Sequence, residues 1–448
     1  MLSPSLAQER AEALVRLARA AGADSADAAY SADASQSVSV RLGQLEDIGR
    51  AENERVALRA FVGQRSASIG TTDLSDAALA ELAERAVAMA RLAPEDRFAG
   101  LADAELLATG ALPELDLIDA TEPAPEWLRD TALAAEDAAR TPAGITNSEG
   151  ASASLGRAMM ALVTSHGFAG VYAASSRAIS VGVVAGEGAE MQRDSAWRAT
   201  RHLADLPDPA TLGALAAERA LVRMRPGRVK GGAMPVVFDP RVGGTLVGHL
   251  TGAINGPAVA RGASFLVGRE GEQLFRAGIS VVDDPLRARA LRSRPFDGEG
   301  LPTGRRELVA DGRLTGWMLD CASARQLGLA PTGHAARGGS GIPMVSTSNL
   351  YLAAGAHSVA ELIGDIADGV YVTELIGQGV STVTGDYSRG AAGFRIVKGA
   401  IAGPIAEFTI AGTLPEMFAR LSVADDLEWY RMVNVPTIRI DGMTVAGE

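Results

Sequence analysis

Gly243-Gly244-Thr245-Leu246-Val247-Gly248-His249-Leu250-Thr251-Gly252-Ala253-Ile254-Asn255-Gly256-Pro257 is the stretch on which the second half of the chain turns. A short apolar run, Met234-Pro235-Val236-Val237-Phe238, and an Asp239-Pro240 break precede it. The order reads as strand, turn, helix. The Asp239 carboxylate suits an N-cap, and Pro240 suits the first helical position, where no N–H is needed. Leu246, Val247, Leu250 and Ile254 recur at helical spacing and give an apolar stripe. One imidazole, His249, sits in it. A zinc-hydrolase helix carries a second His nearby and a Glu as general base. Five residues before His249 stands Gly244, followed by Thr245, and no carboxylate lies between Asp239 and Glu270. On local chemistry this helix does not hold a metal, because a lone His supplies too few ligands.

The chain has 448 residues, more than one ordinary core encloses, so two domains are expected. Apolar residues make up 47% and charged residues 21%, a globular composition. Most of the 51 glycines fall beyond residue 140, which points to turn-rich β structure there. The net charge of −12 argues against nucleic acid and anionic membrane as partners, since both attract basic surfaces. The single cysteine, Cys321, rules out an intrachain disulfide and fits a reducing compartment. No apolar stretch is long enough to span a bilayer, and the first residues are amphipathic, so the cytoplasm is the expected location.

Along the chain, residues 4–22 read as an amphipathic helix ending at Gly22. Alternating runs at 26–31, 35–42, 55–62 and 66–70 suggest a meander with a hairpin turn at Val62-Gly63-Gln64. Ser75 caps a helix over 76–92, and a second helix covers 126–140. Long strands follow at 151–165, 168–186 and 189–200, then a helix over 212–225. A soft boundary near 225–232 divides a mixed N-terminal domain, 1–228, from a glycine-rich, β-dominated domain, 229–448. Strands are expected there at 308–319 around Asp311-Gly312, and at 349–354, 370–377, 379–384, 393–397, 401–410 and 437–445, with a short helix at 320–327. Lys398-Gly399 marks a tight turn. The fold class is α+β: long strands with flanking helices first, then barrel- or sandwich-like antiparallel sheets with short helices.

Val247-Gly248-His249, Arg261-Gly262-Ala263-Ser264-Phe265-Leu266, Val282-Asp283-Asp284-Pro285, Pro331-Thr332-Gly333-His334-Ala335, Ala392-Gly393-Phe394, the run 408–414 and the run 441–447 together resemble the TldD/PmbA family, on its PmbA (TldE) branch. In the TldD branch this helix carries His-Glu-x-x-x-His, which holds zinc. Aligning the Gly-His pair puts Gly244 at the first His, Thr245 at the Glu and His249 at the second His. The resemblance therefore implies the partner subunit of a heterodimeric zinc metallopeptidase that cleaves flexible or unfolded peptides, such as a peptide-antibiotic leader or an antitoxin. It implies no zinc or catalytic residue in this chain, zinc in a TldD-type partner, and a channel between subunits. A metal-free, chaperone-like homodimer and an autonomous hydrolase are the alternatives. The family's third zinc ligand is a Cys much nearer the C-terminus than Cys321, which reads instead as a small buried hydrophobe.

The loop Thr332-Gly333-His334-Ala335-Ala336-Arg337-Gly338-Gly339-Ser340-Gly341 is polar and glycine-rich. His249, His334 and Arg337 are expected to face one channel, with Arg337 gripping a substrate carboxylate or carbonyl. Gly186-Glu187-Gly188 lacks the strand-to-helix context of a phosphate loop. Ser264 lacks a nucleophile elbow. Glu270-Gly271-Glu272 and Asp283-Asp284 read as solvated turns. No charged residue occurs from Gly338 to Ala356, which suggests a contact surface and an obligate dimer.

Overall fold

The computed structural model describes residues 1–124, 126–338 and 341–448. The N-terminal half runs α1 (Pro4–Ala20), β1 (Ser25–Arg41), β2 (Gln44–Val62), β3 (Arg65–Thr71), α2 (Asp76–Leu92), α3 (Trp127–Arg140), β4 (Ile145–Thr164), β5 (Ala169–Ala185), β6 (Gln192–Thr200) and α4 (Pro209–Val222). Its strands form one antiparallel sheet in the order β3-β2-β1-β4-β5-β6.

Side-chain parity determines what each face of this sheet meets, because successive residues point to opposite sides. Ala26, Ala28, Tyr30 and Ala32 of β1 pack with α1 and α2, as do Met159, Ala161 and Val163 of β4. Val38 and Val40, with Ala151 and Ala153, pack with α3 and α4. The parity is the same, so both helix pairs lie side by side on one face. The runs at 26–31 and 35–42 are consequently a single strand. Residues 33–37 cross the gap between the helix pairs, where neither core continues.

The opposite face carries Ala29 and Leu162, which pack with Phe168, Phe296, Leu301 and Cys321. The Phe168 and Phe296 rings meet edge to face, 4.9 Å between centroids. The coil between α2 and α3 straps this seam. Ala102 and Leu107 enter it, and Arg325 donates at 3.2 Å to the carbonyls of Phe98 and Gly100.

The C-terminal half runs β7 (Gly232–Phe238), α5 (Pro240–Ala253), α6 (Gly256–Ala260), β8 (Val281–Asp283), β9 (Arg306–Ala310), β10 (Arg313–Leu314), α7 (Cys321–Leu327), β11 (Ala335–Arg337), β12 (Pro343–Val345), β13 (Leu350–Leu352), α8 (Val359–Ile363), β14 (Asp368–Val380), β15 (Asp386–Val397), β16 (Ala400–Thr413), α9 (Leu414–Arg420), β17 (Leu421–Val423), β18 (Val433–Asn434) and β19 (Ile438–Ala446). The larger sheet has the order β16-β15-β14-β7-β19-β17, and a further pairing of β16 with β19 closes it into a barrel-like ring. Two pairs depart from the antiparallel expectation: β7 with β14 and β13 with β18 are parallel. Parallel neighbours need a long crossover, and everything from α5 to α8 lies between β7 and β14.

The runs at 370–377 and 379–384 meet in the single strand β14, which ends at Val380. Its pairing with β15 shifts between Ile376 and Gly379, where Gly377 has φ +79° and supplies the left-handed residue the irregularity needs. Asp311-Gly312 and Lys398-Gly399 both have two successive positive φ values, the geometry of tight hairpin turns.

Candidate substrate-facing site on helix α5

Asp239 caps α5 by accepting the Arg241 N–H at 2.8 Å, and Pro240 opens the helix. Leu246, Val247, Leu250 and Ala253 are buried against the ring. Gly244, Thr245, Gly248, His249 and Gly252 lie off that buried stripe. A Cβ at Gly248 would meet nothing within 4 Å, and one at Gly244 would touch Val433 at 3.4 Å. The Thr245 hydroxyl donates to the Val242 carbonyl at 2.7 Å, back along its own helix.

His249 is half-buried, and its ring meets Tyr387 edge-on, 6.0 Å between centroids. Tyr387, Arg389 and Ala391 sit at alternate, buried positions of β15, and Tyr387 and Ala391 share a core with Leu246, Val247 and Leu250. Arg389 therefore points into the same layer. Three buried polar atoms of these side chains have no hydrogen-bond partner among the described residues: His249 Nε2, Tyr387 Oη and Arg389 Nε. Burial lowers the proton affinity of His249, and the Arg389 charge lowers it further, so the imidazole is neutral at pH 7. Burial raises the Tyr387 phenol well above its ordinary value, against an opposing pull from Arg389.

These residues do not fit a zinc ion. The position has one imidazole, a hydroxyl already committed to its helix, and a guanidinium that repels cations. Among the described residues, no group of three or more His, Cys, Asp or Glu is arranged to hold a metal. The surroundings suit a negative or carbonyl oxygen, because the tyrosine hydroxyl and guanidinium are donors.

His334 and Arg337 have different surroundings from His249, in the seam between the halves. His334 is only 2% exposed. Its Nδ1 bonds the Thr332 hydroxyl at 2.7 Å, and its Nε2 lies 3.5 Å from Asp283. Burial pushes its pKa down to about 3, with help from Arg294 and Arg306. Asp283 is pushed up by burial. The two therefore meet with the imidazole uncharged rather than as an ion pair.

The Arg337 guanidinium forms a two-pronged pair with Asp27 at 2.9 and 2.7 Å, donates to the Gly341 carbonyl at 2.7 Å, and also donates to the Gly298 carbonyl. Arg59, opposite Asp27 in the sheet, completes the network at 2.5 Å. The expectation that these two side chains line a channel with His249 is thus corrected by their partners. Gly341 serves close packing: a Cβ there would stand 2.3 Å from the Ala57 Cβ. Gly339 and Ser340 of that loop lie outside the described residues. Cys321 is buried beside Glu299, which accepts its backbone N–H at 2.7 Å, and burial raises its thiol pKa.

Sequence reading missed Tyr387 and Arg389. The available signal was a charged side chain at an inward position of the alternation Tyr387-x-Arg389-x-Ala391.

The chain matches the PmbA/TldA metallopeptidase domain 1 over residues 26–90, the central domain over 118–224 and the C-terminal domain over 231–447. It is 37% identical over 427 residues to the metalloprotease PmbA of Escherichia coli O157:H7, covering 95% of this chain and 93% of the relative. It is 34% identical to the metalloprotease PmbA homolog of Haemophilus influenzae, covering 97% and 94%. The fold is similar to crystal structures of TldE from Thermococcus kodakarensis, with TM-score 0.87, 22% identity and coverage of 98% and 100%, and of a proposed modulator of DNA gyrase from Bacteroides thetaiotaomicron, with TM-score 0.92, 24% identity and full coverage of both chains. From these matches and the shared fold, the chain belongs to the PmbA/TldD metallopeptidase family, on its PmbA (TldE) branch.

Proposed function

We propose that this chain is the non-metal subunit of a heterodimeric zinc peptidase acting on flexible or unfolded peptides in the cytoplasm. The observation that carries the reading is α5, which keeps His249 while Gly244 and Thr245 occupy the positions of a ligand and a base. The zinc, which polarises a scissile carbonyl and activates water, belongs to a TldD-type partner. This chain supplies one wall of the peptide groove and a dimer surface. Support for a contact surface comes from exposed apolar side chains, among them Ile48, Met344, Ile376 and Val383.

The purified chain is expected to contain no stoichiometric zinc and to show no peptidase activity. Addition of a TldD-type chain should restore cleavage of an unfolded peptide, and a chelator should abolish it. One tightly held zinc per chain, or chelator-resistant cleavage by the chain alone, would overturn the proposal.

The open face at Gly248 gives a second test. Phe fits a helix better than Gly, so Gly248→Phe should leave the fold intact. Its ring would occupy the space beside α5 and misplace the peptide, lowering kcat/KM of the complex about a hundredfold. Unchanged turnover would remove this face of α5 from the groove.

A further inference from the structure

Besides Arg337, whose side chain is held by Asp27, three arginines are at least nine-tenths buried among the described residues: Arg177, Arg294 and Arg389. Arg177 donates to the carbonyls of Ser176 and Thr121 at 3.1 and 3.2 Å, and Arg294 donates to that of Ser346 at 3.1 Å. Among the described residues, Arg389, 7% exposed, has neither a carboxylate nor a carbonyl partner, and its Nε is buried without one. A buried guanidinium is stable only when something accepts from it. The Tyr387 hydroxyl on the same face of β15 is likewise without an acceptor among the described residues. We infer that Arg389 and Tyr387 form a carboxylate-binding subsite in the groove beside α5, and that a peptide carries the carboxylate.

The single positive charge suits a single negative one. A guanidinium with an adjacent hydroxyl matches a planar carboxylate, whose two oxygens can be held in parallel. The helix face beside the site lacks side chains at Gly244, Gly248 and Gly252, each four residues apart. A Cβ at Gly248 would meet nothing within 4 Å, so an extended main chain can approach closely there. The assignment rests on the peptide-groove reading, and the test separates the two.

Three fluorescein-labelled, alanine-rich hexapeptides distinguish the carboxylate's source: a free C-terminus without acidic side chains, a C-terminal amide with one Glu, and a C-terminal amide with neither. Binding to the full chain is followed by anisotropy. At least one carboxylate-bearing peptide should bind ten times more tightly than the neutral amide. Arg389→Met should erase the difference, and Tyr387→Phe should reduce it several-fold. Independently, sodium acetate should raise the Tm of the wild-type chain above that in sodium chloride of equal ionic strength, but not that of Arg389→Met. Without ligand, Arg389→Met should melt no lower than wild type, because the charge it removes is unpaired.

Equal binding of all three peptides would overturn the carboxylate subsite and leave the groove standing. An Arg389-dependent acetate effect with no peptide binding would sustain the subsite and overturn the groove. A marked loss of Tm in Arg389→Met, or normal peptide discrimination with failed assembly on a TldD-type chain, would make Arg389 structural and sink the proposal.

Discussion

Arg337→Ala is expected to destabilise the folded chain by about 3–5 kcal/mol, the usual cost of removing one partner from a buried ion pair. Asp27 is fully buried. Burial opposes its charge, but the Arg337 and Arg59 guanidiniums outweigh that and hold its carboxyl below the ordinary range. Removing Arg337 takes away both bonds in its two-pronged pair with Asp27 and its bonds to the Gly341 and Gly298 carbonyls. Arg59 alone then faces the carboxylate. Urea unfolding should show a lower midpoint with little change in slope. A double-mutant cycle with Asp27→Asn should return a coupling of more than 1 kcal/mol, since the groups touch. A groove residue would behave oppositely, leaving the midpoint in place and weakening peptide binding. That pattern would refute the structural role assigned to Arg337.

The second large effect depends on pH. An unfolded His titrates near pH 6.5, whereas folded His334 resists protonation down to about pH 3. Below pH 6.5 the unfolded chain binds this proton more readily, so the stability held by neutral His334 is lost as pH falls from 6.5 towards 3. Asp297 opposes the trend. Burial, then Glu299, raises its pKa to about 6, so protonation between pH 6 and 4 favours the folded chain. Wild type should therefore hold its stability down to roughly pH 4 better than His334 alone allows.

His334→Gln isolates the imidazole, because Asp297 and the other carboxylates remain. Its stability relative to wild type should rise by roughly 3 kcal/mol between pH 6.5 and pH 4. A difference that stays flat over this range would show that His334 protonates freely in the folded chain.

Local signals were legible wherever a few neighbouring residues decide the backbone. Ser75 and Asp239 cap α2 and α5, and α2 spans Asp76–Leu92 as its periodicity predicts. Asp311-Gly312 and Lys398-Gly399 turn as their residue types require. Ala32-Asp33-Ala34 looked like a break between strands. They are the middle of one strand that pairs there without interruption on both sides, and the helices above it come in two separate pairs. The parallel pairing of β7 with β14 joins segments far apart in the chain and leaves no local trace.

The site divides in the same way. His249 was legible because the helix around it is. Arg337 and His334 looked like groove residues because a polar, glycine-rich loop resembles a flexible one. Their partners, Asp27 and Asp283, come from distant segments, so their burial was not readable locally. Arg389 went unnoticed because alternation within β15 marks an inward position without saying what else is there.

The order β3-β2-β1-β4-β5-β6 also sets a timetable for synthesis. β1 ends at Arg41, but its second neighbour, β4, begins only at Ile145. At about 5–20 residues per second, the ribosome takes roughly 5–20 s to cover that interval. Throughout it, β1 can pair with β2 but presents its other edge to solvent, ready to template a neighbouring nascent chain. Slowing elongation between codons 42 and 144 should prolong this exposure and raise aggregation of newly made chains, while leaving the stability of finished molecules unchanged.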